Sequence, residues 1–255
     1  MTEHTRLPEL RVLGVPEIPE VASGDDLAQL IVAAVRRIGL AIEEGDVFVV
    51  THKIVSKAEG RLVPLGEVEP SPLAVRWSAA YGKDARLIEL ALRTSKRVLR
   101  MDRGVLIAET PHGFVCANAG VDSSNIADGA AALLPDDPDE SARRLCISLR
   151  EAFGQSVAVI ISDTFGRPWR EGQVNVAVGV AGLRPIMDYR GRLDAHGHRL
   201  QTTAIAIADE LASAAELVMG KTSAIPVALI KGARYEQGDG SARELVRSID
   251  QDLFR

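Results

Sequence analysis

Two uninterrupted apolar runs constrain this chain most: Asp46-Val47-Phe48-Val49-Val50-Thr51 and Ser156-Val157-Ala158-Val159-Ile160-Ile161-Ser162. The first reads as a buried strand rich in β-branched residues, and the second is the strongest strand in the chain. Polar residues with chemical capacity follow each run directly, where a fold can hold them rigidly. At 255 residues the chain can form one large domain or two small ones. A chain of this size buries roughly 70–75% of its unfolded surface, so it needs no disulfide or structural metal to hold a core.

The remaining pattern mixes helices and strands. Residues 23–38 read as a helix with Leu27, Leu30, Ile31, Ala34, Val35 and Ile38 on one face. Ser23 and Asp26 stand at its start with capping-box spacing. A short strand over 10–13 precedes it and ends in a Gly14-Val15-Pro16 turn. The proline-rich stretch 64–72 reads as a loop, followed by helices over 73–81 and 84–94. Three short β runs come next, over 97–101, 105–108 and 114–117, separated by Asp-Arg-Gly and Pro-His-Gly turn signals. The acidic stretch 135–140 leads into a helix over 141–153. A strand over 174–180, a helix over 205–219 and a strand over 226–230 complete the pattern. There is no fixed-period repeat. The absence of a strict βαβ rhythm favours an α+β fold of mixed sheets over a doubly wound one.

Composition excludes several classes. Lys plus Arg is 30 and Asp plus Glu is 35, a net charge of −5, which argues against a nucleic-acid binder. Aromatic residues make up only 4%, too few for a base-stacking platform. Cys116 and Cys146 lack C-x-x-C spacing and are too few for a disulfide framework, so they read as small core residues in a reducing cytoplasm. The first nine residues carry His4, Arg6 and acids before any apolar run, unlike a signal peptide. No stretch reaches the ~18 apolar residues of a membrane span. The expectation is a cytoplasmic protein with no membrane partner.

Three polar clusters carry the chemistry. In the first, Thr51, His52, Lys53 and Lys57 follow the apolar run 46–51 and sit at a strand end, suited to phosphate-binding cations; the competing reading is a solvated, charged edge. In the second, Asn118-Ala119-Gly120-Val121-Asp122-Ser123-Ser124-Asn125, Asp122 suits a divalent cation and Asn125 a nucleotide. A plain Asx-turn loop is its alternative. In the third, Ser162-Asp163-Thr164-Phe165-Gly166-Arg167-Pro168-Trp169-Arg170, Asp163 and Thr164 offer hard oxygen ligands for Mg²⁺ or Mn²⁺. Arg167 and Arg170 follow within one loop and suit a carboxylate or phosphate; a capped turn with an exposed Arg pair is the alternative. Two acids at separate strand ends, with cations nearby, are what phosphoryl transfer requires.

Other signals carry less. Gly220-Lys221-Thr222 looks like the end of a P-loop, but Ala215 stands where the first glycine is needed, and the preceding run is helical. No G-x-G-x-x-G occurs, so a Rossmann site lacks support. His196-Gly-His198 reads as a surface turn.

Six segments together resemble the coenzyme F420-0:L-glutamate ligase (coenzyme F420:gamma-glutamyl ligase) family. They are Gly14-Val15-Pro16-Glu17-Ile18, Gly24-Asp25-Asp26-Leu27, Ser56-Lys57-Ala58-Glu59-Gly60-Arg61, Asn118 to Asn125, Ser162 to Arg167, and Ala208-Asp209-Glu210. Each is weak alone; all six in family order are specific. The resemblance implies two intertwined subdomains forming a homodimer, and a stand-alone ligase domain over 1–255 without a C-terminal reductase domain. It implies GTP contacts at Val15, Pro16, Glu17, Ile18, His52, Lys57 and Asn125, and in the loop of Val218, Met219, Gly220, Lys221 and Thr222. It also implies metal ligation by Asp122 and Asp163, with Thr164 on a second metal. Two positions depart from the family pattern. His52 stands where a small hydroxyl residue is usual, and Lys221-Thr222-Ser223 where archaeal members carry an acidic, glycine-rich loop.

The implied reaction adds L-glutamate to coenzyme F420-0 through an acyl phosphate, then extends a gamma-linked tail. Its cofactors are GTP as co-substrate and Mg²⁺ or Mn²⁺, with K⁺ as a candidate further ion. Asp122, Asp163 and Lys57 carry the chemistry in this scheme; Arg167 and Arg170 are expected, from their own chemistry and not from the resemblance, to grip the acceptor carboxylate or the incoming glutamate. The rival readings are a metal-dependent nucleotide phosphohydrolase and a non-catalytic nucleotide- or deazaflavin-binding protein.

Overall fold

In the computed structural model, which describes residues 7–126 and 129–252, the chain opens with β1 (Arg11–Val15), α1 (Leu27–Arg37), β2 (Val47–Thr51) and α2 (His52–Ala58). A middle section holds β3 (Leu62–Pro64), α3 (Pro72–Tyr81), α4 (Ala85–Thr94), β4 (Arg97–Asp102), β5 (Val105–Glu109), β6 (Val115–Ala117) and β7 (Ala130–Ala132). Then come α5 (Pro138–Phe153), β8 (Ala158–Arg167), β9 (Arg170–Ala181), β10 (Met187–Asp188), β11 (Ala204–Ile205), α6 (Ile207–Met219) and β12 (Val227–Lys231). The fold is α+β, as expected.

The two apolar runs lie side by side at the centre of a five-stranded sheet of order β1-β12-β2-β8-β9. β2 and β8 are parallel, from Val47 opposite Ala158 to Thr51 opposite Ser162, and every other pairing in this sheet is antiparallel. Val47 to Val50 and all of β12 are buried, so both strand faces are covered, which is why these runs are apolar without alternation. α1, α5 and α6 contribute Ile31, Val35, Leu149, Leu211 and Met219 to the same core. Each such side chain contributes roughly 1.5–3 kcal/mol by leaving water. A second core cluster joins Ala74, Leu90 and Ala91 of α3 and α4 to Leu106 and Ala108 of β5. Two small sheets, β3-β7 and β10-β11, and the three-stranded β4-β5-β6 complete the architecture.

Local chemistry sets the element boundaries, and several differ from the sequence expectation. α1 starts at Leu27 because Asp26, not Ser23, caps it, accepting the Gln29 amide. β1 continues through Val15 because β12 offers it a full antiparallel ladder. α5 starts at Pro138, inside the acidic stretch, where Asp137 accepts the Glu140 amide. Its N-terminus packs so closely on β9 that a Cβ on Gly179 would lie 2.3 Å from the Pro138 carbonyl oxygen. The stretch 64–72 is not all loop: it holds the end of β3 and a 3₁₀ turn at Leu65–Glu67.

Two corrections bear on function. The Thr51 to Lys57 cluster is not a solvated edge: Thr51 ends β2, and His52 to Lys57 form α2, with His52, Ile54, Val55, Ser56 and Lys57 buried. Asp163 and Thr164 do not follow a strand; they lie within β8, which forms a long hairpin with β9 around Pro168-Trp169. Cys116 and Cys146 are free and buried. No helix among the described residues is long and apolar enough to cross a membrane.

Candidate functional site

Because β2 and β8 run in the same direction, their C-terminal ends meet. Ligand sites in sheets commonly form where parallel strands end. Here the chain leaving β2 turns at once into α2, so His52, Lys53 and Lys57 stand beside Asp163 and Thr164 of β8. A cavity of about 400 Å³ opens at this edge. Its lining includes Ile18, Glu20, His52, Lys53, Lys57, Asp122, Asn125, Ser162, Asp163, Thr164, Asn175, Glu216, Gly220, Lys221 and Thr222. Asp122 and Asp163, 41 residues apart in sequence, therefore share one cavity.

Each carboxylate is held by its surroundings. The backbone of Asp122 is pinned by two hydrogen bonds to Ala132, through its amide at 3.1 Å and its carbonyl at 2.8 Å. Its side chain pairs with Lys53 Nζ at 2.8 Å and accepts the Ser124 amide at 2.7 Å. Burial pushes the Asp122 carboxyl up, but Lys53 and Ser124 together bring it below its ordinary value. Asp163 Oδ1 accepts the Thr164 amide at 2.6 Å and lies 3.3 Å from His52 Nε2. That imidazole nitrogen is buried with no hydrogen-bond partner of good geometry among the described residues, and the Ser162 hydroxyl is buried with none there either. Cys116 is no nucleophile here: burial, with the Asp163 charge adding, pushes its thiol up to about 12.

Three lysines reach the cavity, each against a carboxylate. Lys53 meets Asp122. Lys57, only 7% exposed, donates to Glu20, which is 83% exposed, and to the Asn125 carbonyl at 3.3 Å. Lys221 meets Glu216 at 2.9 Å and Thr164 Oγ1 at 2.8 Å. The Lys221 backbone is tied to the opposite wall, where its carbonyl accepts the Asn125 carboxamide at 3.3 Å.

The donor set suits a hard cation. Asp122 and Asp163 supply carboxylate oxygens to the same space, and the Thr164 hydroxyl beside them is taken by Asn175 and Lys221. Among the described residues no group of three His, Cys, Asp or Glu side chains forms a complete cage. A divalent ion held by two protein carboxylates draws its remaining ligands from water and substrate phosphates, the usual arrangement for Mg²⁺.

Some sequence-predicted residues lie elsewhere. Val15 and Met219 are core residues. Glu17 pairs with Arg37 on the surface, and Pro16 and Val218 are also absent from the lining. Arg167 and Arg170 sit at the base of the hairpin turn, outside the lining. Arg167 donates to the Glu171 and Gly172 carbonyls across the hairpin, and Arg170 is exposed. The expected grip from these two arginines is therefore not built into the cavity. Conversely, Glu20, Asn175 and Glu216 line it without having been singled out. Glu216 had a signal, as a lone acid in the apolar half of α6. Asn175 had none, because it lies between Val174 and Val176 and alternation puts the valines inside. The Ala208-Asp209-Glu210 segment proves structural: Asp209 accepts the Ala177 amide at 2.9 Å, beside the irregularity in the β8–β9 ladder.

Comparison with known proteins identifies the family. The profile of the F420-0:Gamma-glutamyl ligase family matches residues 16–232. The coenzyme F420:L-glutamate ligase of Methanothermobacter thermautotrophicus is 47% identical over 96% of this chain and 99% of its own length. Its namesake from Methanopyrus kandleri is 46% identical over 98% of this chain and 99% of its own length. That of Methanocaldococcus jannaschii is 40% identical over 97% of each. With matches that run through every wall of the cavity, the chain belongs to the F420-0:gamma-glutamyl ligase family.

Proposed function

We propose that this chain joins L-glutamate to coenzyme F420-0 through an amide bond, using GTP and a divalent cation, Mg²⁺ or Mn²⁺, and then extends a gamma-linked glutamate tail. The observation that carries this function is the convergence of Asp122 and Asp163 with three lysines on one cavity. The names of the relatives supply the substrates.

A carboxylate and an amine do not condense in neutral water, because the carboxylate lacks a leaving group. In the proposed reaction the γ-phosphoryl group of GTP bonds to a carboxylate oxygen of F420-0 and GDP leaves. The α-amine of L-glutamate then attacks that acyl carbon, a C–N bond replaces the C–O bond, phosphate departs and the amine loses a proton. A cation bound by Asp122 and Asp163 supplies charge neutralisation at the phosphates. Lys57 exchanges Glu20 for a phosphate oxygen, since a buried ammonium needs an anion and an exposed carboxylate is easily displaced. Asn125 fixes the loop of Lys221 and Thr222 against the nucleotide. Positioning and fixed charge supply most of the rate. Arg167 and Arg170 are given no step inside the cavity. The working unit in this proposal is a homodimer, with K⁺ as a candidate companion ion.

The test is incubation of the protein with GTP, L-glutamate, Mg²⁺ or Mn²⁺ and F420-0, followed by mass spectrometry. A product heavier by one or more glutamyl residues, formed only with GTP, is expected. GTP hydrolysis without glutamate or F420-0 points instead to a phosphohydrolase, and binding without turnover to a carrier.

A further inference from the structure

Four side chains from four parts of the fold close a ring at one end of the cavity. The Thr164 hydroxyl of β8 donates to Asn175 Oδ1 of β9 at 2.7 Å. Asn175 Nδ2 donates to Glu216 Oε2 of α6 at 2.9 Å. Lys221 Nζ closes the ring, 2.9 Å from Glu216 Oε1 and 2.8 Å from Thr164 Oγ1. Every donor in the ring faces an acceptor, so each group orients the next. Asn175 is itself buried, which locks Thr164 and Glu216 with their oxygens toward the ammonium.

The backbone adds a second restraint. α6 is followed by Gly220, its capping residue, with φ 57° and ψ −175°, a conformation open to glycine and costly for other residues. Lys221 follows at once, with its carbonyl held by Asn125 on the wall that carries Asp122. The ammonium is thus fixed at both ends of its residue. Its two oxygen partners, one anionic and one neutral, are the donors a hard metal ion would take in the same place.

We infer that the Lys221 ammonium fills a cation position formed by Thr164 Oγ1 and Glu216 Oε1, supplying as a tethered charge what a second metal ion would otherwise bring to the phosphoryl group. Phosphoryl-transfer sites neutralise developing charge either with two metal ions or with one ion and a cationic side chain. This chain then uses one divalent ion, on Asp122 and Asp163, for each nucleotide. The inference rests on the metal- and GTP-dependent reading above, and its test separates the two.

The direct measurement counts Mn²⁺ by electron paramagnetic resonance in the wild-type protein saturated with a non-hydrolysable GTP analogue. One ion per chain is expected. Two ions overturn the inference and leave the metal-dependent reading standing; no nucleotide-linked ion overturns both. The second arm is Lys221→Ala, a change at a half-exposed loop position. Glutamate addition should fall roughly 10²–10³-fold and recover in part with added methylammonium, while Lys221→Arg retains more activity than Lys221→Ala. A Lys221→Ala protein with wild-type turnover, or one indifferent to methylammonium, overturns the inference.

Discussion

The two ends of the central sheet use the same residue types to opposite effect. At the start of β2, Lys231 donates to Asp46 at 2.7 Å and to the Ala41 carbonyl at 3.0 Å, with Glu43 at 3.2 Å. Lysine and aspartate side chains there are 10% and 3% exposed. At the far end of the same strand, Lys57 is as deeply buried but leans on an exposed glutamate. Beside it, among the described residues, Ser162 Oγ is buried without a hydrogen-bond partner, at a cost of roughly 1–3 kcal/mol, and His52 Nε2 has only the Asp163 carboxylate at 3.3 Å. A lysine whose carboxylate is buried with it is part of the scaffold. A lysine whose carboxylate lies in water holds that carboxylate only until another anion arrives. The second end tolerates unpaired buried groups, which is typical of sites shaped for a ligand.

The contrast can be broken from either side. The largest effect is expected at the closed end. Asp46→Ala combined with Glu43→Ala leaves the Lys231 charge buried and without a carboxylate, and the protein should lose about 3–5 kcal/mol of stability in a denaturant titration. At the open end, Asp163→Ala should cut glutamate addition roughly 10²–10³-fold with an almost unchanged unfolding midpoint. A matching loss of stability would erase the distinction between the ends. Lys57→Met comes next: removing one charged hydrogen bond to phosphate should weaken GTP binding by about 1.5–3 kcal/mol, measured by calorimetry. Tight GTP binding by this variant would make Lys57 a scaffold residue like Lys231.

The smallest effect sharpens the comparison by moving away from both ends. Glu89 of α4 accepts from Ser71, through hydroxyl and amide, and from Arg93, and its carboxyl is held at about 2 instead of 4.5. A folded-state value below the unfolded one stabilises the protein above pH 4.5 and loses that contribution as pH falls toward 2. Thermal midpoints should fall over that window, and less steeply in Glu89→Gln. An unchanged slope would remove Glu89 from the acid response.

The sheet was legible in the sequence because its strands obey a simple rule: a strand covered on both faces has no polar positions. Phe48 and Ile160 announce that directly. The amphipathic helices were legible for a similar reason, and only their caps shifted. α2 was hidden because its buried face includes His52, Ser56 and Lys57, residues that read as surface. Asp122, Asp163, Thr164 and Lys57 were legible as polar residues next to apolar runs, but their meeting in one cavity depends on β2 and β8 being parallel neighbours. That pairing spans more than a hundred residues of sequence and leaves no local trace. For Arg167 and Arg170, closeness in sequence to Asp163 is not closeness to the cavity. A hairpin extending past the aspartate carries them away from the cavity instead.

The central claim is that Asp122 and Asp163 serve one cation beside one nucleotide. It is tested most directly by measuring GTP-dependent glutamate addition in Asp122→Asn, Asp163→Asn and the double variant. Residues that act as a unit lose most of their effect together, so the double variant should be little worse than either single one. Multiplicative losses, or near-normal turnover in either single variant, would contradict the claim.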